Sequence, residues 1–215
     1  MSKIKFLATG DFHSNLEFIN NIKNNAPLNE IDFIFITGDI SEKNDDFASL
    51  LNIFQNKKVF MVPGNHESKE SIDTLKKHYN IELIGNKPIM LHEDLTIFGT
   101  NYLNIGPHGI PEDKVFENLM DNFNAIKHVK NKVMLSHLPP TQTKIGDASP
   151  FFPFISGSVA IRAFLENFEP EFALVGHIHE TSGLEEIVNK TKVINVGQTF
   201  KVFEFDTQKK ELKLL

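Results

Sequence analysis

The chain has 215 residues, 40% of them hydrophobic and 23% charged, with a formal net charge of −6 at pH 7; that is enough chain for one well-cored domain, taken as a single unit over 1–215, with an ordinary soluble-protein composition. Cysteine is absent, which excludes disulfides, thiolate metal sites and a cysteine nucleophile. The acidic balance disfavours a nucleic-acid partner, whose phosphates would meet a repulsive average field, and the opening "MSKIKFLATGD" has an apolar run too short for a signal peptide or membrane helix, so the expectation is a cytoplasmic protein with no membrane partner.

In chain order, "KIKFLATGD" (3–11) and "DFIFITGD" (32–39) read as strands. Phe47, Leu50, Leu51 and Phe54 then recur at helical spacing. "KVFMVPGNH" (58–66) and "LTIFGT" (95–100) are the next strands, followed by a looser helical stripe of Val115, Leu119, Phe123 and Ile126. "KVMLSH" (132–137) is a strand, and the Pro-, Gly- and Ser-rich stretch 139–158 is a loop long enough to suggest a role in function. Ile161, Phe164, Leu165 and Phe168 form one helix face, and "FALVGH" (172–177) is a further strand. Near-continuous apolar character marks these strands as buried on both faces. After residue 183 come four short strand-like runs without helices, which suggests antiparallel pairing, with "ETSG" (180–183) as the turn into a second sheet.

Five of these runs end in groups that can hold a metal or a phosphate: Asp11 and His13, Asp39, Asn65 and His66, His137, and His177 with His179. In open α/β sheets the crevice beyond the carboxyl ends of the strands is where ligands sit, so groups far apart in sequence converge there. Imidazoles mixed with carboxylates suit transition metals better than calcium or magnesium, and a pair of cations about 3.5–4 Å apart is a common clamp for in-line attack at phosphorus. A histidine after one strand is usually structural; five such blocks in order are far harder to ascribe to chance.

The order Asp11-x-His13, Gly38-Asp39, Gly64-Asn65-His66-Glu67, His137 and Gly176-His177-x-His179 resembles the calcineurin-like metallophosphoesterase superfamily. The resemblance covers residues 11–179. It implies an α/β (α+β) fold, a four-layer αββα sandwich of two mixed sheets. It also implies one cation held by Asp11, His13, Asp39 and His179 and a second by Asp39, Asn65, His137 and His177, with Asp39 bridging and catalytic. Manganese is the leading expectation, with iron, zinc, cobalt or nickel as substitutes. His66 would lie over the phosphate without binding metal, and a metal-bridging hydroxide would attack a phosphomonoester or phosphodiester in line. Phosphoprotein phosphatases of the superfamily orient the equivalent histidine with a carboxylate three residues beyond the bridging aspartate, a position occupied here by Glu42.

A narrower likeness, "SHLPP…SGSVAIR…GHIHETSG…NVG", is to prokaryotic predicted phosphoesterases related to cyclic-nucleotide phosphodiesterases. It draws attention to Ser158 and to Arg162, the single arginine among 22 basic residues. A helix start and a guanidinium are natural partners of a phosphate, so both join Glu42 as candidate substrate-binding residues, although a structural ion pair is the commoner fate of such an arginine. Asn15 reads as a helix cap and Glu67 as support for the fold near the site. "SPFFPF" (149–154) could wall a pocket, meet a partner or pack the loop. The expected function is hydrolysis of a small phosphorylated molecule; the alternatives are a nuclease and a scaffold that keeps the fold without activity. Oligomeric state is left open.

Overall fold

In a computed structural model, residues 3–40, 52–79, 81–101, 103, 105, 109–147 and 156–215 are described. Among them the first half of the chain holds β1 (Lys3–Thr9), α1 (Leu16–Asn25), β2 (Phe33–Ile36), β3 (Lys58–Met61), α2 (Lys69–His78), β4 (Ile81–Leu83), β5 (Ile89–His92) and β6 (Leu95–Gly99). The second half holds α3 (Glu112–Ala125), β7 (Asn131–Leu135), α4 (Val159–Phe168), β8 (Phe172–Val175), β9 (Glu185–Val188), β10 (Thr191–Asn195), β11 (Phe200–Asp206) and β12 (Glu211–Leu214).

The layering follows from strand periodicity. Successive side chains of a strand point to opposite faces, and in β1 both faces bury apolar side chains, Ile4, Phe6 and Ala8 on one and Leu7 on the other, where Lys3 and Lys5 stay in reach of solvent. The same holds in β2, where Phe35 opposes Ile34 and Ile36, in β7, where Val133 and Leu135 oppose Met134, and in β8, where Phe172 and Leu174 oppose Ala173 and Val175. One set gathers in a central core where Phe6, Phe35 and Phe60 meet Val133, Leu135, Phe172 and Leu174. The opposite set of the first sheet packs on Ile19 and Ile22 of α1 and Leu75 of α2. The opposite set of the second packs on Val115 and Leu119 of α3 and Ile161, Phe164 and Leu165 of α4. Helix, sheet, sheet, helix: this is the four-layer αββα sandwich of two mixed sheets.

The sheets run β12-β11-β1-β2-β3-β4 and β5-β6-β7-β8-β10-β9. β1, β2 and β3 are parallel neighbours, as are β7 and β8, so five carboxyl ends fall in two adjacent sets. Phe6 fastens the sheets together: its ring stacks on Phe172 at 5.7 Å and tilts against Phe35 at 4.9 Å and Phe203 at 5.4 Å. Helix starts are set locally. Asn15, Ser68 and Ser158 each accept the amide three residues on, at 3.0, 3.1 and 3.2 Å, satisfying a donor the helix itself cannot.

Three features depart from the periodicity reading. β4 and β5 are short strands that it does not mark. The chain does not change sheets at residues 180–183: β9 and β10 stay beside β8, and β10 pairs with β8 in parallel, so the tail is only partly antiparallel. The return to the first sheet comes with β11, after residue 197. Of the expected face containing Phe47, Leu50, Leu51 and Phe54, only Phe54 is described, in a 3-10 turn over Asn52–Phe54; the rest, with Glu42 and "SPFFPF", lie outside the described residues. No helix among the described residues is long and apolar enough to cross a membrane.

Candidate metal centre

Three of the strands that carry candidate ligands, β1, β2 and β8, end in a sharp exit. Asp11, His13, Asp39 and His177 all have left-handed backbone, with φ of 51°, 45°, 52° and 72°. That conformation costs roughly 1–2 kcal/mol per non-glycine residue and persists where the surroundings over-determine it, as at functional sites. Here neighbouring loops do so: the Asp11 amide donates to the Gly38 carbonyl at 2.9 Å and the His13 amide to that of Asp39 at 3.1 Å. Two glycines make room for the carboxylates. A Cβ on Gly197 would stand 1.9 Å from Asp11 Oδ2, and one on Gly64 2.0 Å from Asp39 Oδ1.

Asp39 is the hub. Its Oδ1 accepts the His66 amide at 3.0 Å. Its Oδ2 faces three imidazole Nε2 atoms, from His137 at 3.3 Å, His13 at 3.7 Å and His66 at 4.0 Å. Around it the ligating atoms form close groups, Asp11 with His13 and His179, and Asp39 with His137 and His177, the members of each within 4.8 Å of one another. Asn65 Oδ1 lies 2.9 Å from His137 Nε2. The structure thus brings the seven residues expected to ligate metal close together, and a third group of the same kind joins His13 and Asp39 to His66, which the resemblance leaves off the metal. His66 stands at the cluster's edge with 40% of its side chain exposed, and the cleft over the cluster, about 200 Å³, is also lined by Glu180.

The two sheets are tied at this point. His137 Nδ1 donates to the Thr37 carbonyl at 2.8 Å, which fixes a proton on Nδ1 and turns Nε2 toward Asp39 and Asn65. The His177 amide donates to Asp11 Oδ2 at 2.9 Å. Asp11 Oδ1 is buried with no hydrogen-bond partner.

The electrostatics fit a cation site. Burial pushes Asp11 up to about 7, against the pull of His137 and helped by the Asp39 carboxylate. For His137 burial works downward, but Asp39 and Asp11 outweigh it and lift the imidazole to about 9. Asp39 is driven up by burial yet held well below the usual carboxylate range by His137 and His66. Burial, with His137 nearby, drops His177 to about 3, and burial also lowers His179; both imidazoles therefore keep lone pairs for a metal. A buried carboxylate oxygen without a partner, among nitrogen and oxygen donors only, suits a transition-metal ion.

Two residues that the motif reading did not rank as ligands hold this geometry. Glu67 is buried, and its carboxylate accepts the amides of Gly64 at 2.6 Å, Ile40 at 2.7 Å and Asp39 at 3.0 Å, lashing the loop after β2 to the loop after β3. Burial, and Asp39 beside it, push this carboxyl up, while the three amides pull it down. Asn195, at the end of β10, donates to the Ile178 carbonyl and the Thr181 hydroxyl, each at 2.8 Å, and accepts the Gly197 amide at 2.9 Å. It braces the turn that carries His177 and His179; its only sequence signal is an amide closing an apolar run two residues before a glycine.

The candidate substrate-binding residues are placed differently. Arg162 Nε bonds Glu166 at 2.6 Å and its Nη1 donates to the Gln142 carbonyl at 3.1 Å. The Ser158 hydroxyl donates to Glu112 at 2.6 Å while capping α4. Arg162 therefore braces the segment that follows His137, Ser158 ties the start of α4 to the start of α3, and neither is among the residues that line the cleft over the cluster.

The profile of the family described as Calcineurin-like phosphoesterase matches residues 4–181. Among curated proteins, the chain is similar to the uncharacterized protein MJ1162 of Methanocaldococcus jannaschii, with 28% identity over 184 residues, or 83% of this chain and 82% of the relative. Among solved structures, TT1561 of Thermus thermophilus aligns with a TM-score of 0.70 at 16% identity, covering 99% of this chain and 98% of its own. A dimetal phosphatase from Danio rerio aligns with a TM-score of 0.66 at 10% identity, covering 93% and 92%. Both share the fold.

Proposed function

The chain belongs to the calcineurin-like phosphoesterase family, hydrolases acting on phosphoric esters, and from that premise we propose that it hydrolyses a small phosphorylated molecule with the aid of two divalent cations, manganese foremost. The observation that carries this reading is Asp39 Oδ2, which faces imidazoles from three separate loops within 4.0 Å. Asp11, His13, Asp39 and His179 would hold one cation, and Asp39, Asn65, His137 and His177 the other. When bound, the pair supplies Lewis acidity toward the phosphoryl oxygens and the attacking water.

The residues of the chain do the rest. The cross-sheet bonds of His137 and His177 fix the ligands before substrate arrives, so little reorganisation remains for the reaction. Water adds to phosphorus in line and releases a proton to solvent, the ester P–O bond breaks, and His66 gives a proton to the leaving alcohol oxygen and takes one back from solvent. The placement of His66 suits this proton transfer, because its amide is tied to Asp39 while the ring reaches the solvent-facing edge of the cleft.

Metal analysis by mass spectrometry, together with hydrolysis of p-nitrophenyl phosphate and bis(p-nitrophenyl) phosphate, tests the assignment. Asp39→Asn and His177→Ala are expected to lose metal and turnover together. His66→Ala is expected to keep metal and lose about 10²–10⁴-fold in rate. Full activity in any of the three variants overturns the roles given to these residues.

A further inference from the structure

Next to the metal cleft lies a second cavity, of about 370 Å³, which shares Asn65 and His66 with it. Among the described residues its far wall is apolar. Ile72 comes from the first turn of α2, and Leu103, Ile105 and Ile110 come from the segment between β6 and α3. The Ile110 amide donates to the Leu103 carbonyl at 2.8 Å. Lys69 and Asn101 supply a polar margin. Asn101 gives its Nδ2 to Asn86 at 3.0 Å, while its Oδ1 is buried without a hydrogen-bond partner.

The position decides what the cavity holds. Under the function proposed above, on which this inference rests, the leaving oxygen lies at His66. The carbon skeleton bonded to that oxygen must extend away from the metal cluster, and the cavity bounded by His66 is the space beside it. An apolar wall gains from displacing water by carbon and gains nothing from a second phosphate or a sugar chain. The volume is near the lower end of small-molecule pockets, about 300–1,000 Å³, so it takes one compact ring system and not a polymer strand. We infer that this cavity seats the alcohol half of the substrate, and that the substrate is the phosphoester of a compact, mostly apolar alcohol with at most a small polar edge.

The test uses the metal-loaded protein and two matched series. Ethyl, benzyl and 2-naphthylmethyl phosphonates, which cannot be hydrolysed, are titrated by calorimetry. The corresponding phosphates, whose alcohols differ little in acidity, are assayed for turnover. Benzyl phosphonate is expected to bind at least about tenfold more tightly than ethyl, the scale expected for burying a ring, and kcat/KM should rise in parallel. Ile72→Trp, which fills the cavity, should collapse the benzyl-to-ethyl ratio toward one in both series. Ile105→Asn, on the half-buried segment before α3, should do the same and guards against misfolding of the first variant. Equal affinity for ethyl and benzyl in the unaltered protein, or an undiminished ratio in both folded variants, overturns the inference. Because phosphonate binding needs no turnover, failure to hydrolyse any phosphate counts against the hydrolase reading, while loss of the affinity ratio counts against the cavity.

Discussion

At Asp39 the two carboxylate oxygens have separate duties, one taking an amide and the other facing three imidazoles. Keeping them apart falls to Glu67, which fixes the Asp39 backbone from the opposite side. Glu67→Gln preserves the shape of the side chain but replaces an accepting oxygen by a donor facing amide N–H groups. Metal affinity is expected to fall about 10–100-fold, the usual cost of disturbing the partners behind metal ligands, with roughly 1–3 kcal/mol of stability lost where a buried donor goes unpaired. Metal titration and thermal unfolding read these two losses separately; unchanged metal affinity would show that Glu67 does not position Asp39. The candidate ligands are legible in the sequence because each is a polar residue placed just after an apolar run. Asn195 is not, since an amide at a strand end looks the same whether it meets solvent or, as here, a carbonyl and a hydroxyl from a distant turn and the amide of nearby Gly197.

At the scale of elements, α4 and the segment after His137 form one braced unit through Arg162. The guanidinium reaches Glu166 and the Gln142 carbonyl together, a forked reach that a lysine lacks. Arg162→Lys is therefore expected to lower the melting temperature slightly and to leave KM unchanged; a raised KM at unchanged metal content would instead give Arg162 a direct contact with substrate. The strands that carry ligands are readable from sequence because burial on both faces makes them continuously apolar. β4, with three residues, and β5, with Met90 and His92 among its four, lack that signature. The parallel pairing of β10 with β8 is likewise hidden, because periodicity marks a strand but not its neighbour.

For the whole molecule, adhesion between the sheets rests on the central core, where Phe6 touches rings from both sides. Phe6→Ala is expected to cost about 3–5 kcal/mol, the range for deleting a buried phenylalanine, read as a lower urea midpoint. A loss below about 1 kcal/mol would mean that the core collapses around the gap. The αββα order is foreseeable from the family resemblance that the motifs carry, not from periodicity, which marks strands and stripes but not their layers. The point at which the chain crosses from one sheet to the other is not, since Gly197 and residues 180–183 carry equally good turn signals.

The bonds that cross between the sheets at the metal cluster join residues 100 and 166 positions apart in the chain, from Thr37 to His137 and from Asp11 to His177. Contacts of such separation form late, after the entropy of closing long loops has been met. Helices α1 and α2 with their strands can assemble from nearby sequence, but no ligand set is complete until the second sheet has docked. Refolding followed by circular dichroism should thus run ahead of refolding followed by metal uptake, and on the ribosome the candidate ligand sets are complete only once His177 and His179 have emerged.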